Sequence, residues 1–340
     1  MTTTDRSDQP VGTTALAQGL AGRATARPAG SRPGRRPVSR QTNLRRKRLE
    51  IALFTGPALL VYVVFVLMPI GFAVYYSLYK WNGIEPLTNF VGLSNYQRAF
   101  SDPVFLRAMQ HNLFFAVGSI IVQLPVALAI AVMLNRRIRG RPAVRTLVFI
   151  PYVVSEVITG VLWLLILQPD SLVDRVMESI GLGSWVHLWL ADQGMVLWTL
   201  LFIITWKYIG FAIILFLAGL QNVPEELHEA AAIDGASWWQ AQRRITIPLL
   251  GPTIRIWVFL SMIGSIQLFD VVWIVTGGGP ANSSATMATY MINVGFYRSQ
   301  FGYGNAVAVI LFAVSFVAAF VYQRYVLRRD TDGALTGRVG

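Results

Sequence analysis

Long apolar runs separated by short polar stretches fill the chain from residue 50 onward, and their length sets the first expectation. The hydrocarbon core of a bilayer takes about 20 apolar residues in a helix. By that rule the runs predict spans near 51–79, 112–134, 144–167, 195–220, 253–275 and 304–327. An all-α membrane fold with six transmembrane helices is expected, each helix satisfying its own backbone inside lipid. The first run is too long and too far from the N-terminus for a secretory signal, and it reads as a retained anchor.

One polar stretch interrupts this pattern for longer than a turn requires. Gln221 to Thr253 carries EAAAIDGASWWQAQRRITIPLL between two apolar runs. Pro224 followed by Glu225 and Glu226 reads as a helix start, because a proline in the first turn loses no needed donor and acidic side chains suit the positive end of the helix dipole. The helix should end at Ile233. Gly235 supplies the freedom to turn, Ser237 caps a second short helix through Arg244, and Pro248 and Pro252 restrict the chain before the next span. A helix, turn, helix knuckle outside the bilayer is predicted. Ala230, Ala231 and Ala232 leave little side-chain bulk on it, so another protein's groove can approach its backbone closely.

Composition excludes a soluble core: hydrophobic residues make up 54% and charged ones 14%, against about a quarter charged in soluble domains. The basic residues are unevenly placed. Twenty-three lysines and arginines fall in the tail before residue 51, the 135–145 loop, the 221–255 segment and the C-terminal tail, and five on the other side. Cytoplasmic loops hold the excess, so both termini and the knuckle are expected in the cytoplasm. The net charge of +12 is largely this topology signal. Residues 1–49 read as a disordered basic tail near anionic lipid, 50–328 as the six-helix transmembrane domain and 329–340 as a short tail. The basic tail lacks interleaved aromatics, which argues against nucleic acid as a partner.

Enzyme chemistry finds little support. There is no GxxxxGK[ST] phosphate loop and no cysteine, and His111, His187 and His228 are scattered over both sides, so no metal site is expected. Gly277, Gly278, Gly279 and Pro280 read as the turn ending the fifth span, and Tyr79, Trp81, Trp185 and Tyr325 as interface anchors. Three ionisable residues fall inside spans, where charges are costly and mark pathways or pairs. Glu156 and Lys207 each sit near the middle of their helix and can pair at one depth. Asp270 lies about six residues past the middle of the fifth span, roughly 9 Å toward its end. Two roles stay open for the three: holding helices together, or facing a solute path. Gln123, Asn112 and Gln267 add polar surface without an assigned role.

Glu229, Ala230, Ala231, then Asp234, Gly235, Ala236, then Ile245 and Pro248 resemble the cytoplasmic motif of membrane-spanning subunits of binding-protein-dependent ABC importers. FVGLSNY at 90–96, FLAGLQNVPEELHEAAAIDGAS at 216–237 and LFDVVWIVTGGGPANSSAT at 268–286 resemble the carbohydrate-uptake group, and the last is similar to the maltose-type first permease subunit. The resemblance covers residues 50 to 328. It implies an inner-membrane permease that is not itself an enzyme, with the knuckle as a coupling helix in a cleft of a cytoplasmic ATPase. It further implies a second homologous permease subunit, two ATPase subunits holding the ATP and Mg, an extracytoplasmic solute-binding protein, and no cofactor on this chain. The implied solute is a sugar. A glycerol-phosphate or other polyol is the alternative, an intramembrane enzyme on lipid-linked sugars, with Glu156 or Asp270 catalytic, is another, and a stand-alone secondary transporter, which an internal repeat would favour, is a third. The basic N-terminal tail is no family requirement, and Glu156 stands where the family pattern calls for a neutral residue.

The charge asymmetry yields a direct expectation. Single cysteines at Ser184 and Ser237, placed in this cysteine-free chain, should be modified by an impermeant thiol reagent from outside and from inside the cell respectively. Labelling of Ser237→Cys from outside would overturn the assigned orientation.

Overall fold

The computed structural model describes residues 40–136 and 140–327. The expected tail structures over residues 1–39 and 328–340, and Arg137 and Arg139 of the basic loop, lie outside the described residues. The chain divides after Leu60 into two units, and the described part of the first is helical from Arg40. Among the described residues the fold is helical, with a single isolated bridge between Tyr79 and Phe90.

Four helices are long and apolar enough to cross a membrane: Glu50–Ser77, Pro103–Asn135, Val196–Leu220 and Phe301–Leu327. Two further segments pass only as bent pairs. Pro142–Val153 and Glu156–Ile166 meet at 96°, and Trp238–Leu249 and Gly251–Ile266 at 64°. Counted as one span each, these pairs bring the total to the six that hydropathy predicts. The second span is longer than expected, starting at Pro103, and the third and fifth runs do not form continuous helices. Asp270–Val275 is a separate short helix after Gly251–Ile266.

Proline placement explains three of the widened turns. Pro69, Pro125 and Pro248 each follow a π-helical stretch, at Val63–Leu67, Ser119–Gln123 and Gln242–Thr246. Proline lacks the N–H for the i→i−4 bond and its ring crowds that carbonyl. The preceding residue then bonds one carbonyl further back: Met68 to Val63, Leu124 to Ser119 and Ile247 to Gln242. The helix continues with one widened turn.

Close approach without side chains sets two of the contacts that matter below. A Cβ on Gly210 would lie 2.6 Å from the Val148 carbonyl oxygen, and one on Gly160 would lie 2.6 Å from the Ile274 Cγ2. Gly210 therefore lets Val196–Leu220 pack on the first half of the broken third segment, and Gly160 lets its second half pack on Asp270–Val275.

At the end of the molecule opposite the knuckle, Asp102 caps the Pro103 helix by accepting from the Val104 N–H at 2.8 Å and accepts from the Tyr290 hydroxyl at 2.6 Å. Tyr290 in turn lies 3.0 Å from the Tyr303 hydroxyl, and the Arg98 guanidinium stacks 4.1 Å over the Tyr303 ring. Burial alone would raise the Asp102 pKa. The hydrogen bonds from Tyr290, Val104 and Phe105 and the Arg98 charge outweigh it and hold the carboxyl below the usual aspartate value. A depressed pKa in the folded state contributes stability that is present above the unfolded value, about 3.9, and is lost as pH falls through the folded one. Asp102→Ala should lower stability by about 1 kcal/mol at neutral pH, the usual worth of an N-cap. Thermal melts in detergent from pH 7 to pH 3 check both parts: the difference between the two proteins should shrink only at the acid end.

Candidate functional site: two capped breaks and a small chamber

The break in the third segment leaves backbone carbonyls without helical partners in a region with no water to receive them. Lys207, 2% exposed, fills this need from the fourth helix. Its Nζ donates to the Pro151 and Tyr152 carbonyls at 3.2 Å each and to the Val154 carbonyl. An ammonium has three donors and no acceptor, so these three carbonyls absorb its hydrogens. On the other side of the break Ser155 caps the new helix by accepting from the Ile158 N–H at 3.2 Å, and Glu156 is the first residue of that helix. Its Oε1 lies 3.7 Å from Lys207 Nζ and accepts from the Tyr208 hydroxyl at 2.9 Å. The expected contact between Glu156 and Lys207 is present. The expected position of Glu156 is corrected: the carboxylate sits at the positive end of a helix that starts beside Lys207, where the dipole favours it, and not mid-way along a continuous span.

The second break is handled by a different side chain. Three residues separate the end of the helix Gly251–Ile266 from Asp270, and Asn112, 2% exposed, donates to the Ser265 carbonyl at 2.7 Å and the Ile266 carbonyl at 3.1 Å. Its Oδ1 accepts from the Met287 N–H at 2.9 Å, and Thr286 donates to the Leu268 carbonyl at 2.8 Å. Asp270, expected within a continuous fifth span, is instead exposed at the start of its own short helix. Its short helix packs through Ile274 on Gly160 of the helix that Glu156 begins, while Glu156 contacts Lys207 and Tyr208.

Between the breaks lies a chamber of about 220 Å³. Tyr152 and Tyr208, whose backbone or hydroxyl joins the Lys207 and Glu156 contacts, present their rings to it, with Phe211 and Trp257. Ser119, Gln123, Ser261 and Ser265 supply the polar surface. Gln123 is 3% exposed, and its Nε2 has no hydrogen-bond partner. An orphaned buried donor is costly and is satisfied when a molecule carrying an acceptor enters. Sequence reasoning left Gln123 and Asn112 without roles. The available signal for Gln123 was a polar residue one position ahead of the Leu124–Pro125 pair, where a widened turn re-aims side chains.

The knuckle forms as its residues predict. The helix runs Glu225–Ile233, Gly235 turns at φ +76°, and Ser237 with Gln240 forms a reciprocal cap for the helix beginning at Trp238. No residue of Glu225–Ile233 is buried. Glu229, Ala230, Asp234 and Gly235 are exposed, Ala231 and Ala236 half-buried, and Ile233 is 86% and Trp239 74% exposed. A Cβ on Gly235 would meet open space, so the glycine is required by its left-handed backbone and not by crowding within the chain. The Arg136 guanidinium lies 4.0 Å over the Trp238 ring, a contact from the end of the second span, and within the knuckle Thr246 Oγ1 lies 3.4 Å from His228 Nε2. Among the described residues no group of histidines and carboxylates is placed to hold a metal.

Residues 123–330 match the family of binding-protein-dependent transport system inner membrane components. The diacetylchitobiose uptake system permease protein NgcF of Streptomyces coelicolor is 34% identical over 322 residues, 91% of this chain and 90% of that one. The lactose transport system permease protein LacF of Rhizobium radiobacter is 35% identical over 280 residues, 81% of this chain and 93% of that one. Among solved structures, a bacterial alginate ABC transporter in complex with an alginate pentasaccharide-bound periplasmic protein has a chain that superposes with a TM-score of 0.73. Its identity is 22%, and the match covers 85% of this chain and 97% of that chain.

The geometry separates the two halves of the Lys207 contact. Lys207→Met strands three carbonyls and a carboxylate and should cost about 3–5 kcal/mol. Glu156→Gln should cost less, because Gln still accepts from Tyr208 and the carbonyls keep their donor. Adding Glu156→Gln to Lys207→Met should recover part of the loss. Yields of folded protein and melting temperatures for the four proteins check this, and a double variant no better than Lys207→Met alone would refute a coupled pair.

Proposed function

The chain belongs to the family of binding-protein-dependent transport system inner membrane components, and from that premise we propose how this subunit works. It is a membrane subunit of a transport system, not an enzyme. Its task is to carry a sugar, delivered by an extracytoplasmic solute-binding protein, through a path that includes the chamber, at the expense of ATP hydrolysed elsewhere. The relatives named for diacetylchitobiose and lactose support a saccharide solute, and the aromatic and hydroxyl lining of the chamber supports it independently. The aromatic rings match the apolar faces of a sugar ring, while Gln123 and the serines match its hydroxyls.

The carrying observation is the knuckle. Its first helix, Glu225–Ile233, has no buried residue, its second is capped by Ser237 with Gln240, and Ile233 and Trp239 stand exposed on either side of the turn. An isolated apolar tip on a rigid polar element fits a docking role. Glu229, Ala230, Ala231, Asp234, Gly235 and Ala236 then form the surface that an ATPase subunit grips, with Glu229 and Asp234 available to basic side chains in its cleft. Closure of two ATPase subunits, each holding ATP and Mg, moves this knuckle and that of a second permease subunit, switching the path between outward and inward access. The knuckle and both termini are cytoplasmic in this reading, which the charge asymmetry supports. The first membrane helix, none of whose Glu50–Ser77 apolar window is buried, is left for lipid and the second permease.

Substitutions at the tip test this reading. Gly235→Val imposes a side chain on a left-handed backbone, and Ala231→Trp adds bulk where the docking surface must be close. Both proteins should insert normally, because the spans are untouched. ATPase subunits should no longer co-purify, and solute-stimulated ATP hydrolysis should fall at least tenfold, a coupling loss of about 1.4 kcal/mol or more. Retention of the ATPase with an unchanged transport rate would overturn the docking assignment.

A further inference from the structure

We propose that the chamber lies in a negative potential set by Glu156 and Asp270, and that this potential selects uncharged or cationic hydroxyl-rich solutes against carboxylated or phosphorylated ones. The inference rests on the reading of the chamber as part of the solute path. It names the class of solute that the path accepts.

Two carboxylates adjoin residues that line the chamber. Tyr208 lines it and donates to Glu156. Leu268, two residues before Asp270, lines it as well. None of the lining side chains is basic. Lys207, the cation paired with Glu156, is 2% exposed and already committed to the Pro151, Tyr152 and Val154 carbonyls and to that carboxylate. It therefore offers nothing to an anionic solute. Taking the three charges together leaves the neighbourhood formally negative by one. A carboxylate or phosphate entering the chamber would lose its water, find no cation and meet like charge, each an unfavourable step.

What the chamber does offer is neutral recognition. The unpartnered Nε2 of Gln123 needs an acceptor, and a hydroxyl, an ether oxygen or an acetamido carbonyl supplies one. A hydroxyl can also donate to the serine oxygens, and the rings of Tyr152, Tyr208, Phe211 and Trp257 cover apolar faces. At about 220 Å³ the chamber holds the volume of about seven waters, enough for one sugar ring at a time. An amino sugar in its charged form would gain from the carboxylates.

The potential can be measured without knowing the natural solute, because the chain has no cysteine. Ser261→Cys and Gly264→Cys place thiols on the chamber wall, and a Cβ at Gly264 meets nothing within 4 Å. The full chain, purified with its partner subunits in nanodiscs, is treated with three methanethiosulfonates: the uncharged methyl, the cationic trimethylammonioethyl and the anionic sulfonatoethyl reagents. Each rate is divided by that with free 2-mercaptoethanol. The cationic reagent should react about tenfold faster than the anionic one, and Asp270→Asn alone, at an exposed position outside the Lys207 contacts, removes the net charge and should bring the ratio near one. Glu156→Gln with Asp270→Asn leaves Lys207 uncompensated and should bring the ratio below one. Equal or faster reaction of the anionic reagent with both carboxylates present, or a ratio unmoved by Asp270→Asn, overturns the selection while leaving the path reading in place. Failure of the uncharged reagent to modify either cysteine overturns the path reading, and the selection falls with it.

Discussion

A helix that stops inside a membrane exposes carbonyls that water cannot reach, and the rest of this structure depends on how those carbonyls are satisfied. Two segments stop in this way, and each is capped by a polar side chain from another helix. Lys207 serves the first break and Asn112 the second. A buried lysine or asparagine without partners would be expensive, as would the carbonyls without donors. Together each satisfies the other, and the pairing fixes where the chain turns. The breaks are thereby tied to the second and fourth helices and are not free hinges.

The chamber is a consequence of this arrangement. Once the third segment turns by 96° at Ser155, Tyr152 and Tyr208 project into the space beside the fourth helix, and the widened turn at Ser119–Gln123 brings Gln123 to the same space. Glu156 completes the link: it leans on Lys207 and accepts from Tyr208, so the ring that faces the chamber is fixed by the contact that caps the break. The knuckle obeys a different logic. It lies beyond the spans, its backbone is capped by Ser237 and Gln240, and its tip is left uncovered, the state expected of a surface whose partner is a separate chain.

Local chemistry made the knuckle readable from residues alone. Pro224, the paired glutamates, Gly235 and Ser237 each act within a few residues, and helix start, turn and second cap fall where those residues place them. The second helix extends to Leu249, beyond Arg244, because a π turn absorbs Pro248. The breaks were not readable in the same way. Hydropathy averaged over about 20 residues does not register an interruption of two or three residues between apolar flanks, so 144–167 and 253–275 read as continuous. Pro151, Ser155 and Glu156 together carry a helix-stop and helix-start signal that the apolar background obscured. Asn112 and Lys207 act over 153 and 56 residues of sequence separation, and no local rule connects a capping side chain to a carbonyl so far away. The ion pair was legible because two opposite charges inside spans require an explanation. The carbonyls that take most of the lysine's hydrogens were not.

Nitroxide labels at Val153 and Val157, both exposed and placed on either side of the first break, would test most directly whether Lys207 holds that break in one geometry. Continuous-wave electron paramagnetic resonance of the doubly labelled chain should give a single narrow inter-label distance when Lys207 is present. With Lys207→Met, in protein that remains inserted, the distribution should broaden toward longer separations as the uncapped segment samples straighter forms. An unchanged narrow distribution in the Lys207→Met protein would contradict the account, because the break would then be set by local sequence and not by the buried cap.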